Sequence, residues 1–141
     1  MKHVWILVVI SLATPGLVDA QIHREAEPSW YELHPGGADR VAIDRNSFQV
    51  DDDVRRAKFR WHLLSSGGRS ASYTIEDTEV DCRQHQGRVV ARWRVTISPR
   101  SGRTVERAEV PAREQTWHSY SPRTLASESW ARFCELPVDG A

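Results

Sequence analysis

Two cysteines constrain this chain more than any other feature. Cys82 lies in a stretch with strand character. Cys134 closes Ser121–Cys134, S-P-R-T-L-A-S-E-S-W-A-R-F-C, the one convincing helical segment after the leader. Within that segment Trp130 follows Ala126 by four residues, and Phe133 and Cys134 follow Trp130 by three and four, so all four share one helical face. Either Ser121 caps the helix with Pro122 at its first position, or Thr124 caps it after a proline-fixed approach. Trp130 is expected beneath the helix as core. A bond between the two sulfurs staples this last helix to a sheet built from the residues that precede it.

The beginning of the chain makes that bond the default. Lys2 and His3 form a short basic start, Val4 to Ala13 is almost unbroken apolar, Thr14-Pro15-Gly16 breaks the run, and Val18-Asp19-Ala20 offers small residues for a peptidase. About ten apolar residues span roughly 15 Å as a helix, half of a bilayer core, so the segment reads as a cleaved signal and not a membrane anchor. No cysteine lies near the cut, so no lipid-anchor site is expected, and nothing later is apolar enough to span a membrane. The reading is of an exported chain, periplasmic, secreted or at the cell surface, where disulfides persist. Residues 1–20 are then the signal, 21–28 a polar lead-in, 29–136 one domain and 137–141 a tail. Of the 141 residues 19 are basic and 19 acidic, and 17 of the basic ones are arginine. Such a balance supplies no field to draw in nucleic acid.

The middle of the chain is strand-like. Trp30 to His34 is followed by the turn Pro35-Gly36-Gly37, and Arg40 to Arg45 alternates with Val41 and Ile43 on one side. Asp51-Asp52-Asp53 lacks the glycine and glutamate of a calcium loop at the sixth and twelfth places, where Arg56 and His62 stand, and reads as a solvated turn. Ala57 to Leu64 sets Phe59, Trp61 and Leu63 against Lys58, Arg60 and His62. Ser72 to Arg83 alternates imperfectly, and a bulge near Asp77-Thr78 would be needed to keep Tyr73 and Ile75 on the same face as Val80 and Cys82. Arg88 to Ser98 is the clearest strand: Val89, Ala91, Trp93, Val95 and Ile97 are expected on one face, with Val90 the exception. Pro99 to Gly102 turns into Thr104–Val110, charged enough for a sheet edge, and Pro111–Tyr120 reads as loop. The fold class is α+β, an antiparallel meander of about six strands with one C-terminal helix packed on it and tied by the disulfide.

Chemical motifs are sparse. The sequence has no G-x-S-x-G elbow, H-E-x-x-H helix, phosphate-binding glycine loop or C-x-x-C. His34, His62, His85 and His118 are dispersed, one to a segment, so no cofactor or metal is assigned and the reading is non-enzymatic. Trp117, near a segment end, and the row Arg88, Arg92 and Arg94 are the candidate binding surface, since tryptophan and arginine are favoured where proteins meet.

The order of several residues resembles the surface-adhesin protein E-like domain family of exported bacterial proteins. Trp30 opens the first strand, Asp44 and Ser47 follow the second, Val80-Asp81-Cys82 ends a later strand, and the close carries Trp117, Pro122, Thr124, Glu128, Trp130 and Cys134. The resemblance spans about residues 29–135. It implies the same sheet and helix, and a role in attachment to host extracellular proteins. The alternative is a periplasmic accessory protein that binds other envelope proteins.

Overall fold

The structure, a computed structural model, describes residues 27–35, 39–62 and 71–138. The signal segment, most of the lead-in, Gly36, Gly37, Leu63 to Gly68 and the last three residues lie outside these. Seven antiparallel strands form one sheet: β1 (Trp30–Glu32), β2 (Arg40–Asp44), β3 (Gln49–Asp51), β4 (Val54–His62), β5 (Ala71–Asp81), β6 (Gln86–Ser98) and β7 (Gly102–Ala108). The order is β1-β2-β4-β5-β6-β7, with β3 paired to the first residues of β4. β4 is long enough to serve both neighbours: Val54–Arg56 meet β3, and Phe59–His62 meet β2. The meander is therefore as expected, with the short β3 as the added strand. Asp52 and Asp53 form the exposed turn between β3 and β4, and Asp52 adopts a left-handed backbone that aspartate tolerates better than most residues.

Two helices follow β7. α1 (Ala112–Gln115) is a single turn inside the segment read as loop, and α2 (Leu125–Glu135) is the C-terminal helix. Of the two starts open to α2, Thr124 is the cap: its hydroxyl accepts from the Ser127 backbone N–H, and the Ser127 side chain accepts from the Thr124 N–H. At the other end Arg55, reaching up from β4, donates to the carbonyl oxygens of Phe133 and Leu136 at 3.0 and 2.6 Å, supplying donors that the last turn lacks. Side chains thus close part of both helix ends.

Ser129, Trp130 and Phe133 form the buried side of α2. The Phe133 ring meets Phe59 edge-on at 4.9 Å and Phe48 at 5.5 Å, above Val41, Ile43, Ala57 and Val80. One residue later Cys134 is bonded to Cys82 just past β5, with the two Cα atoms 5.6 Å apart although the residues are separated by 52 positions in sequence. Trp130 lies over Gly87. A Cβ built on Gly87 would fall 2.2 Å from Trp130 Cη2, far inside contact distance, so the indole rests directly on the β6 backbone.

The face assignment of β6 departs from the simple alternation. Thr78 pairs with Val89 but Asp77 pairs with Ala91, so Val90 is an extra residue and the sheet slips by one at Asp77/Thr78. The irregularity is where it was expected, but the bulged strand is β6. β5 alternates without interruption, so Val80 and Thr78 face the helix while Ile75 and Tyr73 face away. Past the bulge every β6 side chain exchanges faces. Val89 therefore packs under the helix, whereas Ala91, Trp93, Val95 and Ile97 point to the helix-free face. Val95 is buried there between its cross-strand partners Tyr73 and Val105.

Gly87→Ala forces its new methyl into a ring that the disulfide and Phe133 hold in place. The substitution is expected to cost about 1–3 kcal/mol in urea unfolding. Trp130→Leu in the same chain should recover part of that loss, and strict additivity of the two changes would show that the contact is not shared.

Candidate functional site

Cross-strand register sorts the polar residues onto two surfaces with different chemistry. On the helix side, Glu76 of β5 sits opposite Arg92 of β6, and both are largely shielded from water. The Arg92 guanidinium donates to Glu76 at 2.7 Å through Nε and also to Glu114 of α1, so one cation holds two carboxylates. Burial pushes the Glu76 carboxyl above its ordinary range; Arg92 opposes this without cancelling it, and the nearby Glu114 charge adds to it. The Trp61 indole N–H favours the charged form of Glu76 while falling short of a full hydrogen bond. Beside this triad burial raises the Tyr120 phenol to about 12, so it stays neutral. The Tyr120 ring lies 4.1 Å from Trp130, with His118 stacked edge-on at 5.0 Å. His118 is fixed by two backbone bonds to Gly87 and by its Nδ1, 2.8 Å from the Thr116 carbonyl. The cluster pins α1 and the approach to α2 onto β6, so it is occupied by its own charges.

Among the described residues no helix packs on the opposite, helix-free surface. Arg56 makes a two-pronged contact with Asp77 and lies 3.8 Å from Glu79, which also accepts from Arg88 at 2.6 Å. The Arg88 guanidinium lies 4.8 Å from the centre of the Trp117 ring, and Trp117 is 37% exposed. An ion ladder thus runs across β4, β5 and β6 and ends on an exposed indole supported by a cation. Two hollows flank Arg56. The smaller, about 330 Å³, lies between Gln49, Asp51, Glu79, Arg88 and Trp117. The larger, about 560 Å³, is lined by Glu27, Asp44, Lys58, Asp77 and Arg103. Farther along this face Arg60 stacks over Trp30 at 4.6 Å and bonds Glu32 at 3.1 Å. Among the described residues no group of three or more His, Cys, Asp or Glu is placed to hold a metal ion.

The bulge divides the arginine row read from the sequence. Arg88 joins Trp117 on the open face, Arg92 is committed to the interior triad, and Arg94, exposed, shares the helix side with Arg92. The residues that carried the family resemblance act as local fasteners. The Asp44 carboxylate accepts from the Ser29 and Asn46 backbone, and the Ser47 hydroxyl donates to the Asp44 carbonyl and accepts from the Lys58 N–H, joining β2 to β4. Asp81 accepts from the Arg83 and Gln84 N–H groups in the turn into Gly87. Pro122 lies in the turn that leads to the Thr124 cap. Sequence reading missed the triad, because Glu76, Arg92 and Glu114 come from three segments. It missed the role of Gly87 because the indole that needs it is 43 residues away. No family model matches the chain, and neither curated proteins nor solved structures provide a match.

The raised Glu76 carboxyl ties folding to pH. Between its ordinary value of 4.5 and its higher value in the fold, the folded chain keeps a proton that the unfolded chain has released. Stability should therefore fall as pH rises through that window. Urea unfolding of wild type and Glu76→Gln from pH 4 upward (on the order of half-unit steps) checks this: the variant should lack that part of the slope, and identical slopes would refute it.

Proposed function

We propose that this chain is an exported, non-enzymatic binding domain of the kind the protein E-like resemblance implies, engaging host extracellular proteins through its helix-free face. The observation that carries the reading is Trp117, an exposed indole held against Arg88 at the rim of an open charged hollow. Such a residue offers a large, rigid contact whose ordering cost is already met by the fold. The disulfide supports passage through an oxidising compartment. The Glu76 carboxylate, raised by burial, is satisfied by Arg92 and faces the interior, which supports a structural and not a catalytic role for it.

Antibody labelling of intact against permeabilised cells, paired with binding to immobilised host matrix proteins, tests the proposal. Display on intact cells and a loss of about tenfold or more in affinity for Trp117→Ala, with unchanged unfolding, are expected. Protection in intact cells, with recovery of envelope components in place of matrix proteins, would replace the adhesive role by the envelope-accessory one.

A further inference from the structure

β7 ends the sheet. It pairs with β6 on one side only, and among the described residues no strand lies on the other. Every residue from Gly102 to Arg107 is exposed. Seven residues extend about 24 Å at roughly 3.4 Å each, and about half of their backbone N–H and C=O groups point outward from the edge. The register places Arg103, Val105 and Arg107 together on the helix-free face, opposite Ile97, Val95 and Trp93. Val105 and Ile97 are 52% and 44% exposed. Neither Arg103 nor Arg107 has an ion-pair or hydrogen-bond partner among the described residues, whereas Arg56, Arg60, Arg88 and Arg92 on β4 and β6 all do.

We infer that the β7 edge binds an extended segment of a partner protein by strand addition, and that the segment carries an acidic–x–apolar–x–acidic pattern. An added antiparallel strand places alternate side chains opposite alternate residues of β7. The positions facing Arg103 and Arg107 then favour carboxylates, and the position facing Val105 favours a branched apolar side chain that covers this exposed valine. Backbone bonding supplies affinity without regard to sequence, and the Arg-Val-Arg row supplies the choice of partner. The same row disfavours a second copy of this chain. The antiparallel register that pairs all seven β7 residues with themselves sets Arg103 against Arg107 twice, and like charges directly opposite are destabilising. The edge therefore rejects its own kind and admits an acidic strand. Arg103 also lines the larger hollow beside Arg56, but Trp117 stands at the other end of β6, by Gly87, so the β7 edge can be engaged without the indole over Arg88.

The probe is a labelled peptide with two glutamates flanking a valine at alternate positions among threonines, titrated into the full oxidised chain by fluorescence anisotropy. A peptide with lysines in place of the glutamates is the control. Saturable binding of the acidic peptide is expected, weakening as salt rises to about 0.5 M and falling about tenfold or more in the Arg103→Glu/Arg107→Glu variant. Trp117→Ala should leave it unchanged, which separates this surface from the host-binding face. Hydrogen exchange with the peptide present should slow amides of β7 above all. Absence of binding, equal binding of the lysine peptide, indifference to the charge reversal, or protection that bypasses β7 would each overturn the inference. The substituted positions are exposed, so unfolding curves of the variant should superpose on wild type and confirm that the loss is one of binding.

Discussion

The bond between Cys82 and Cys134 is the constraint on which the helix-bearing half of the molecule depends. An eleven-residue helix with one apolar side is marginal in water, and α2 gains its stability from what it covers. The sulfur bridge fixes where it sits. One position before Cys134, Phe133 is set over Phe59 and Phe48; four positions before, Trp130 is set on Gly87. Arg55 and the Thr124 cap then close the two ends. In a domain with a single sheet and a thin core, these contacts cover the apolar cluster of Val41, Ile43, Ala57, Phe59 and Val80.

The other half follows from leaving the opposite face uncovered. A sheet face without a helix must be made compatible with water, and here that is done by alternating arginine with carboxylate across β4, β5 and β6 and by laying guanidinium groups on Trp30 and Trp117. The Val90 bulge decides which residues take part. By shifting β6 one place it buries Arg92 beside Glu76 and leaves Arg88 outside, so two arginines four apart have unrelated roles. The sheet also ends on a strand whose Arg103 and Arg107 have no ion-pair partner among the described residues, in contrast to Arg56, Arg60, Arg88 and Arg92 within it. The open face, the supported indole and the charged edge are the three features on which the proposed contacts with other proteins rest.

Much of the fold was legible because its signals are local. The alternation of Phe59 and Trp61 marks β4, Val41 and Ile43 mark β2, the charged run after Gly102 marks an edge, and the spacing of Trp130, Phe133 and Cys134 marks the buried side of α2. The odd parity of Tyr73 and Ile75 against Val80, with Val90 out of phase, even located the slip. Which strand absorbs a slip depends on pairing, so sequence could not say that β6 bulges or that Trp93 faces away from the helix. β3 and α1 are too short to carry a period. Glu76 beneath the helix side and Gly87 beneath an indole are intelligible only once distant segments meet. For the candidate site, Trp117 and Arg88 were legible as types favoured in contacts, and their stacking was not.

One covalent bond, Cys82–Cys134, seats α2 and carries a large share of the domain's stability. Closing a loop of this length should contribute about 4 kcal/mol through the unfolded chain. Urea unfolding of Cys82→Ser, Cys134→Ser and the double variant measures it directly. Equal large losses for the two single changes, with no further loss in the double, are predicted; unequal losses, or losses that add, would contradict the account.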